Sequence, residues 1–119
     1  MAEPVDLEAV FATFAETWSP RTVATVNDYD VRVVRVHGEF TAHSHPDTDE
    51  FFLVLSGELV IRMEAGDVTL GPGHAYVVPK GVRHQPAAAD ETRILLIEPS
   101  ATVNTGDTPS ELTAERRTV

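Results

Sequence analysis

His43-Ser44-His45-Pro46-Asp47-Thr48-Asp49-Glu50 packs two imidazoles and three carboxylates into eight residues. In an extended chain, residues two apart point to the same side, so His43 and His45 can aim both rings at one point. Neutral imidazole and carboxylate are the ordinary ligands of first-row divalent metals. Aimed into a protein interior, such polar groups are costly unless a metal or hydrogen bonds satisfy them. Alternation does not choose the carboxylate partner. Strict continuation from His45 turns Asp47 and Asp49 inward, but Pro46 breaks a strand ladder and lets the parity reset. After a reset, Glu50, Phe52 and Val54 share one face, and Phe51, Leu53 and Leu55 the other. Asp49 and Glu50 both remain open on parity alone.

On both sides of this stretch the chain reads as short β-rich runs: Thr22–Val26, Val31–Val36, Phe51–Leu55, Leu59–Met63, Val68–Leu70, Ala75–Val78 and Ile94–Ile97. Turn chemistry separates them, at Asn27-Asp28, Ser56-Gly57, Ala65-Gly66-Asp67, Gly71-Pro72-Gly73 and Pro79-Lys80-Gly81. Strands this short and this regularly spaced argue for an all-β sandwich or barrel rather than alternating α/β units. Ahead of them, residues 6–18 are expected to form a helix. Leu7, Val10, Phe11, Phe14 and Trp18 draw one apolar stripe, Asp6 is the expected N-cap, and Pro20 stops continuation. A helix that short needs a surface to dock on, either the barrel wall or a second subunit. We divide the chain into an N-terminal helix (1–20), a β-barrel domain (21–99) and a C-terminal tail (100–119). The tail is expected to be loop, with a short helical turn near 111–116.

Composition narrows the function classes. The 119 residues are 42% hydrophobic and 24% charged, as in an ordinary globular domain. No apolar run is long enough to span a membrane, and the acidic start lacks the pattern of a secretory signal. Absence of cysteine excludes disulfides and thiolate ligands and fits a cytoplasmic location. A formal net charge of −10 opposes binding to nucleic acid or anionic lipid. It does not oppose a small anion near a buried metal, whose own charge dominates locally.

Two motifs give the chain a family resemblance. The first runs Gly38, His43, His45, four residues, Glu50, six residues, Gly57; the second runs Gly73, five residues, Pro79-Lys80-Gly81, two residues, His84. In this pattern residues 31–98 resemble the cupin superfamily. Two positions depart from it: Gly38 lies one residue nearer the first histidine, and Ala88 stands where the family carries asparagine. Neither is a ligand position. The resemblance implies a double-stranded β-helix (a jelly-roll barrel) in which His43, His45, Glu50 and His84 hold one divalent ion, and its spacing selects Glu50 over Asp49. The donor set suits iron, manganese, nickel, zinc or copper alike. It also implies a homodimer, with the outer sheet and the helix as the docking surface.

The remaining polar residues read more simply. His37 and His74 stand beside glycines at strand ends and are expected to be surface turn residues. Lys80 and Arg83, flanking His84, are expected to be a solvated rim. Phe52 and Val54, with Met63 on the next strand, are the expected pocket lining, and the tail around Val103–Asp107 is expected to cover a barrel opening or meet a partner subunit. The function expected is a metalloenzyme acting on a small oxygenated organic molecule, of oxygenase, isomerase or cyclase type; the alternative is a non-enzymatic module binding a metal or small ligand.

Overall fold

The computed structural model describes residues 3–119. A short helix, α1 (Leu7–Phe11), precedes β1 (Arg21–Val26), β2 (Tyr29–Glu39), β3 (Glu50–Ser56), β4 (Leu59–Met63), β5 (Val68–Leu70), β6 (Ala75–Val78) and β7 (His84–Pro99). The strands run in the order β1-β2-β7-β3-β6, with β4 joining β7 to β5. Every pairing between these strands is antiparallel. This is the all-β barrel that the two motifs imply. Strand alternation fills it: Val34, Val36, Phe52, Val54, Leu59, Ile61, Ile94 and Leu96 are buried in one cluster. Each such side chain is worth roughly 1.5–3 kcal/mol when fully withdrawn from water.

β7 is the hub. Along one edge it pairs with β2 over almost its whole length, from Tyr29↔Pro99 to Glu39↔Ala87. Along the other it pairs with β3 from Phe51↔Ile97 to Ser56↔Arg93, then with β4 from Val60↔Ala87 to Met63↔His84. Only Ile94–Ile97 was legible as strand. Residues 84–91, His-Gln-Pro-Ala-Ala-Ala-Asp-Glu, have weak β-propensity, and cross-strand pairing overrides it. Gly38 and Ala88, the two positions that depart from the family pattern, are cross-strand partners beside a register shift, and Gly38 has φ +80°. The shorter glycine spacing and the small residue at 88 therefore belong to one bulge.

The helix is shorter than its apolar stripe. α1 ends at Phe11, with Asp6 capping it as expected by accepting from the amides of Glu8 and Ala9. Past Phe11 the chain runs as a loop, because the Arg35 guanidinium takes the carbonyls of Phe11 and Phe14 that a longer helix would use itself. The stripe is buried even so. Val10, Phe11 and Phe14 pack on Val33 of the outer sheet face, and Trp18 turns away at φ +57° to stack on Phe40 in the barrel. Its own barrel wall thus takes the apolar face of α1, which is not left for a partner.

At 111–116 the tail forms one turn, the Thr113 amide donating to the Ser110 carbonyl at 3.1 Å, and no helix. Asn104 holds it by accepting from the Ala114 amide and donating to the carbonyl of Leu112, while Arg116 reaches Asp30. Thr118 then bridges Thr22 in parallel fashion. Side-chain anchors replace helical hydrogen bonds, as the Thr, Ser and Asn content of the segment allows.

Candidate metal centre

Two separate segments deliver the four side chains. His43 and His84 form an isolated antiparallel bridge, the His43 amide donating to the His84 carbonyl at 3.0 Å and the reverse at 2.8 Å. His45 lies two residues on, its carbonyl accepting from the Gly81 amide at 2.9 Å. Glu50 opens β3, opposite Val78 of β6. The parity reset after Pro46 is real: Glu50, Phe52 and Val54 face inward. Asp49 is exposed and accepts from the Lys80 amide, tying the two motif loops together. All four side chains, His43, His45, Glu50 and His84, are buried, and their donor atoms lie within 4.8 Å of one another.

The tautomers follow from the partners. His43 Nδ1 lies 2.7 Å from the Thr41 carbonyl, and His84 Nδ1 lies 2.9 Å from the Val82 carbonyl. A carbonyl only accepts, so each Nδ1 carries a proton and each Nε2 faces the centre. There His43 Nε2 meets His45 Nε2 at 3.2 Å, and His84 Nε2 meets a Glu50 carboxylate oxygen at 3.1 Å. A nitrogen and a carboxylate oxygen this close are held together by a positive charge between them, a proton or a metal ion. Burial pushes the His43 imidazole down to about 4, which keeps it neutral near pH 7. Burial pushes the Glu50 carboxyl up, but hydrogen bonds from His45, His84 and Glu98 outweigh that and hold it below the usual carboxylate range. Three imidazoles and one carboxylate with donor atoms within 4.8 Å of one another thus make a set that fits a divalent metal ion.

Behind Glu50 lies a polar network that sequence reasoning missed. Glu98 and Arg32 are buried, and Arg32 donates to Glu98 at 2.8 Å and to Asp30 at 3.1 Å. Burial, followed by the charge of Glu50, pushes the Glu98 carboxyl well above the usual range. Glu98 Oε2 has no hydrogen-bond partner among the described residues, and the charge of Glu50 favours a proton on the Glu98 carboxyl. The signal was present: Asp30 and Arg32 share the inward parity of Val34 and Val36, and Glu98 that of Ile94 and Leu96. Charged residues at the inward positions of an apolar strand mark a built network.

A cavity of about 30 Å³ adjoins His43 and Glu50. Its walls are largely apolar, with Trp18, Phe40, Phe52 and Leu96 among them, and Asn104 of the tail supplies a polar group. Of the expected lining, Phe52 is there; Val54 and Met63 pack elsewhere in the core. His37, His74, Lys80 and Arg83 are exposed; His74 follows the turn at Pro72-Gly73 and Lys80 and Arg83 lie on the rim as expected, whereas His37 lies within β2 rather than in a turn.

Comparison with known proteins agrees with the fold. Residues 30–100 match the sequence profile of the cupin domain (Cupin_2). The uncharacterized protein YdbB of Bacillus subtilis (strain 168) is 32% identical over 99 residues, 82% of this chain and 88% of that protein. A cupin-2 domain containing protein from Shewanella frigidimarina is 45% identical, with a TM-score of 0.78 over 80% of this chain and 93% of its own. Hydroquinone 1,2-dioxygenase from Sphingomonas sp. TTNP3, solved with 4-hydroxybenzoate bound, aligns with a TM-score of 0.72 at 23% identity, covering 82% of this chain and 32% of that one. At that identity the likeness is one of fold.

Proposed function

The chain belongs to the cupin domain family, and from that membership we propose that it is a single-domain metalloenzyme acting on a small oxygenated organic molecule with an apolar portion. The observation that carries the reading is the apolar cavity opening directly onto His43 and Glu50. In this reading His43, His45, Glu50 and His84 hold one divalent ion. When bound, such an ion supplies Lewis-acid chemistry and, if redox-active, oxygen chemistry. The chain's own residues do the rest. The Thr41 and Val82 carbonyls fix the ring orientations, Glu98 holds a proton against Glu50, and Trp18, Phe40 and Phe52 exclude water. The fold shared with hydroquinone 1,2-dioxygenase is compatible with this chemistry but does not assign it.

A second reading, a non-enzymatic metal- or ligand-binding module, draws on the smallness of the cavity, which has room for about one or two waters. Spectroscopy of the cobalt- or iron-loaded protein titrated with azide or nitric oxide separates the two. A response to either small ligand is expected of the enzyme; a coordination sphere that answers neither leaves no place for substrate and favours the module. We place the protein in the cytoplasm as a homodimer. No helix among the described residues is long and apolar enough to cross a membrane, and gel filtration with light scattering tests the dimer.

A further inference from the structure

We propose that Asp107 is a positioning residue for the metal centre, clamping from outside the peptide that carries two of its ligands, so that docking of the tail and binding of the ion reinforce each other. The inference rests on the metal reading of His43, His45, Glu50 and His84.

Ser44 lies between His43 and His45, and by alternation it points away from the side to which their imidazoles point. All three of its polar groups go to a single residue of the tail. The Ser44 amide donates to Asp107 Oδ1 at 2.9 Å and the Ser44 hydroxyl to Oδ2 at 2.8 Å, while the Asp107 amide donates to the Ser44 carbonyl at 3.0 Å. The carboxylate is thereby engaged on both oxygens, and Thr108 Oγ1, bonded to Oδ1, is its third donor. Gly106, at φ +55°, brings the tail backbone so close that a Cβ there would lie 3.0 Å from His43 Cδ2 and nearer still to the Ser44 carbonyl oxygen. Nothing larger than glycine lets the clamp seat. Thr41, on the other flank of His43, is tied to the same tail through Ser110 at 2.7 Å.

The consequence follows from geometry. The two imidazoles converge only while the 43–45 backbone holds its extended form, and metal ligands tolerate displacements of only a few tenths of an ångström. His43 is also fixed by its bridge to His84, and His45 by the Gly81 amide; the peptide between them has Asp107 alone. Loosening the clamp therefore costs affinity at the centre without removing any ligand. By linkage, filling the centre tightens the tail.

Cobalt(II) affinity, read by chelator competition, tests this on the full chain. Asp107→Ala should weaken binding by at least about tenfold, the range seen when groups that orient metal ligands are removed. Asp107→Asn keeps an acceptor for the Ser44 amide and an amide donor for the Ser44 hydroxyl, and should recover to within about threefold of wild type. Melting of the metal-free variants separates this from general loosening: the loss should lie in the cobalt-dependent increment. Reciprocally, cobalt should slow amide hydrogen exchange at Ser44 and Asp107 in the wild type. Should Asp107→Ala fail to fold, Ser44→Ala removes one of the three bonds and should give a smaller loss in the same direction. Wild type that binds cobalt while the folded variants bind it equally well overturns the clamp alone. Wild type that binds no cobalt overturns the metal reading, and the clamp with it.

Discussion

His43 and His84 exchange both of their backbone hydrogen bonds, at 3.0 and 2.8 Å, although no named strand joins them. The bridge brings the first motif to the second before any ion is considered. It leaves each ring held at Nδ1 by a carbonyl two residues upstream. From this arrangement we expect about one divalent ion per chain by elemental analysis of untagged protein, and its loss when His43 and His45 are both replaced by alanine. Full retention of metal in the double variant would remove the site.

Glu50 and Asp49 are adjacent in sequence but opposite in environment. Glu50 is buried among the histidines, whereas Asp49 is exposed and caps the Lys80 amide. Glu50→Gln should lower metal affinity by roughly tenfold or more, and Asp49→Asn by less than about threefold, in a side-by-side chelator competition. The reverse order would mean that the inward parity of β3 is wrongly assigned.

The sign of the acid response is set by His43. Its folded value, pushed by burial to about 4, lies below the free value of 6.5. The unfolded chain therefore takes up a proton first, so the contribution is fully present above 6.5 and is lost as pH falls from 6.5 towards 4. Metal competes with the same protons, so the metal-dependent rise in melting temperature should shrink across that window. An increment that stays constant from neutral to pH 4 contradicts the site.

Burial and the charge of Glu50 favour the protonated form of Glu98, whose near-isostere is glutamine. Glu98→Gln should leave stability near pH 7 within about 1 kcal/mol of wild type, because an amide can still accept from Arg32 and donate to Glu50. Arg32→Met is the contrasting case. It strips donors from buried Glu98, Asp30 and the carbonyls of Ser100 and Thr102, and should cost roughly 3–5 kcal/mol in urea denaturation. Equal, small losses in both variants would show the network to be slack.

What the sequence disclosed follows from the range of the interactions. The four site residues were legible because the motif spacing is local: 43 to 50 is one loop entering a strand, and the second motif is a turn ending at His84. The inward turn of Glu50 needed the family spacing, since Pro46 erased the parity signal. The first half of β7 was hidden because its Ala-rich sequence becomes strand only through β2 and β4, which lie dozens of residues upstream. The stripe from Leu7 to Trp18 correctly identified buried residues but assigned them to one helix, because Arg35 intercepts the carbonyls that would have continued it. Neither the Arg32–Glu98 pair nor the Ser44–Asp107 pair has a local signature; each joins residues more than sixty positions apart.

The central place of β7 bears on the order of events when the chain folds. A strand that must find β2, β3 and β4 in a single docking step gives the barrel high contact order, so folding on the millisecond-to-second scale is expected. His84 is the first residue of that strand, and it meets His43 only once the strand is seated. On the metal reading, an ion would therefore meet ligands already assembled rather than recruit them. Such an ion acts on the escape rate from the native state: metal should slow unfolding severalfold while leaving the refolding rate nearly unchanged.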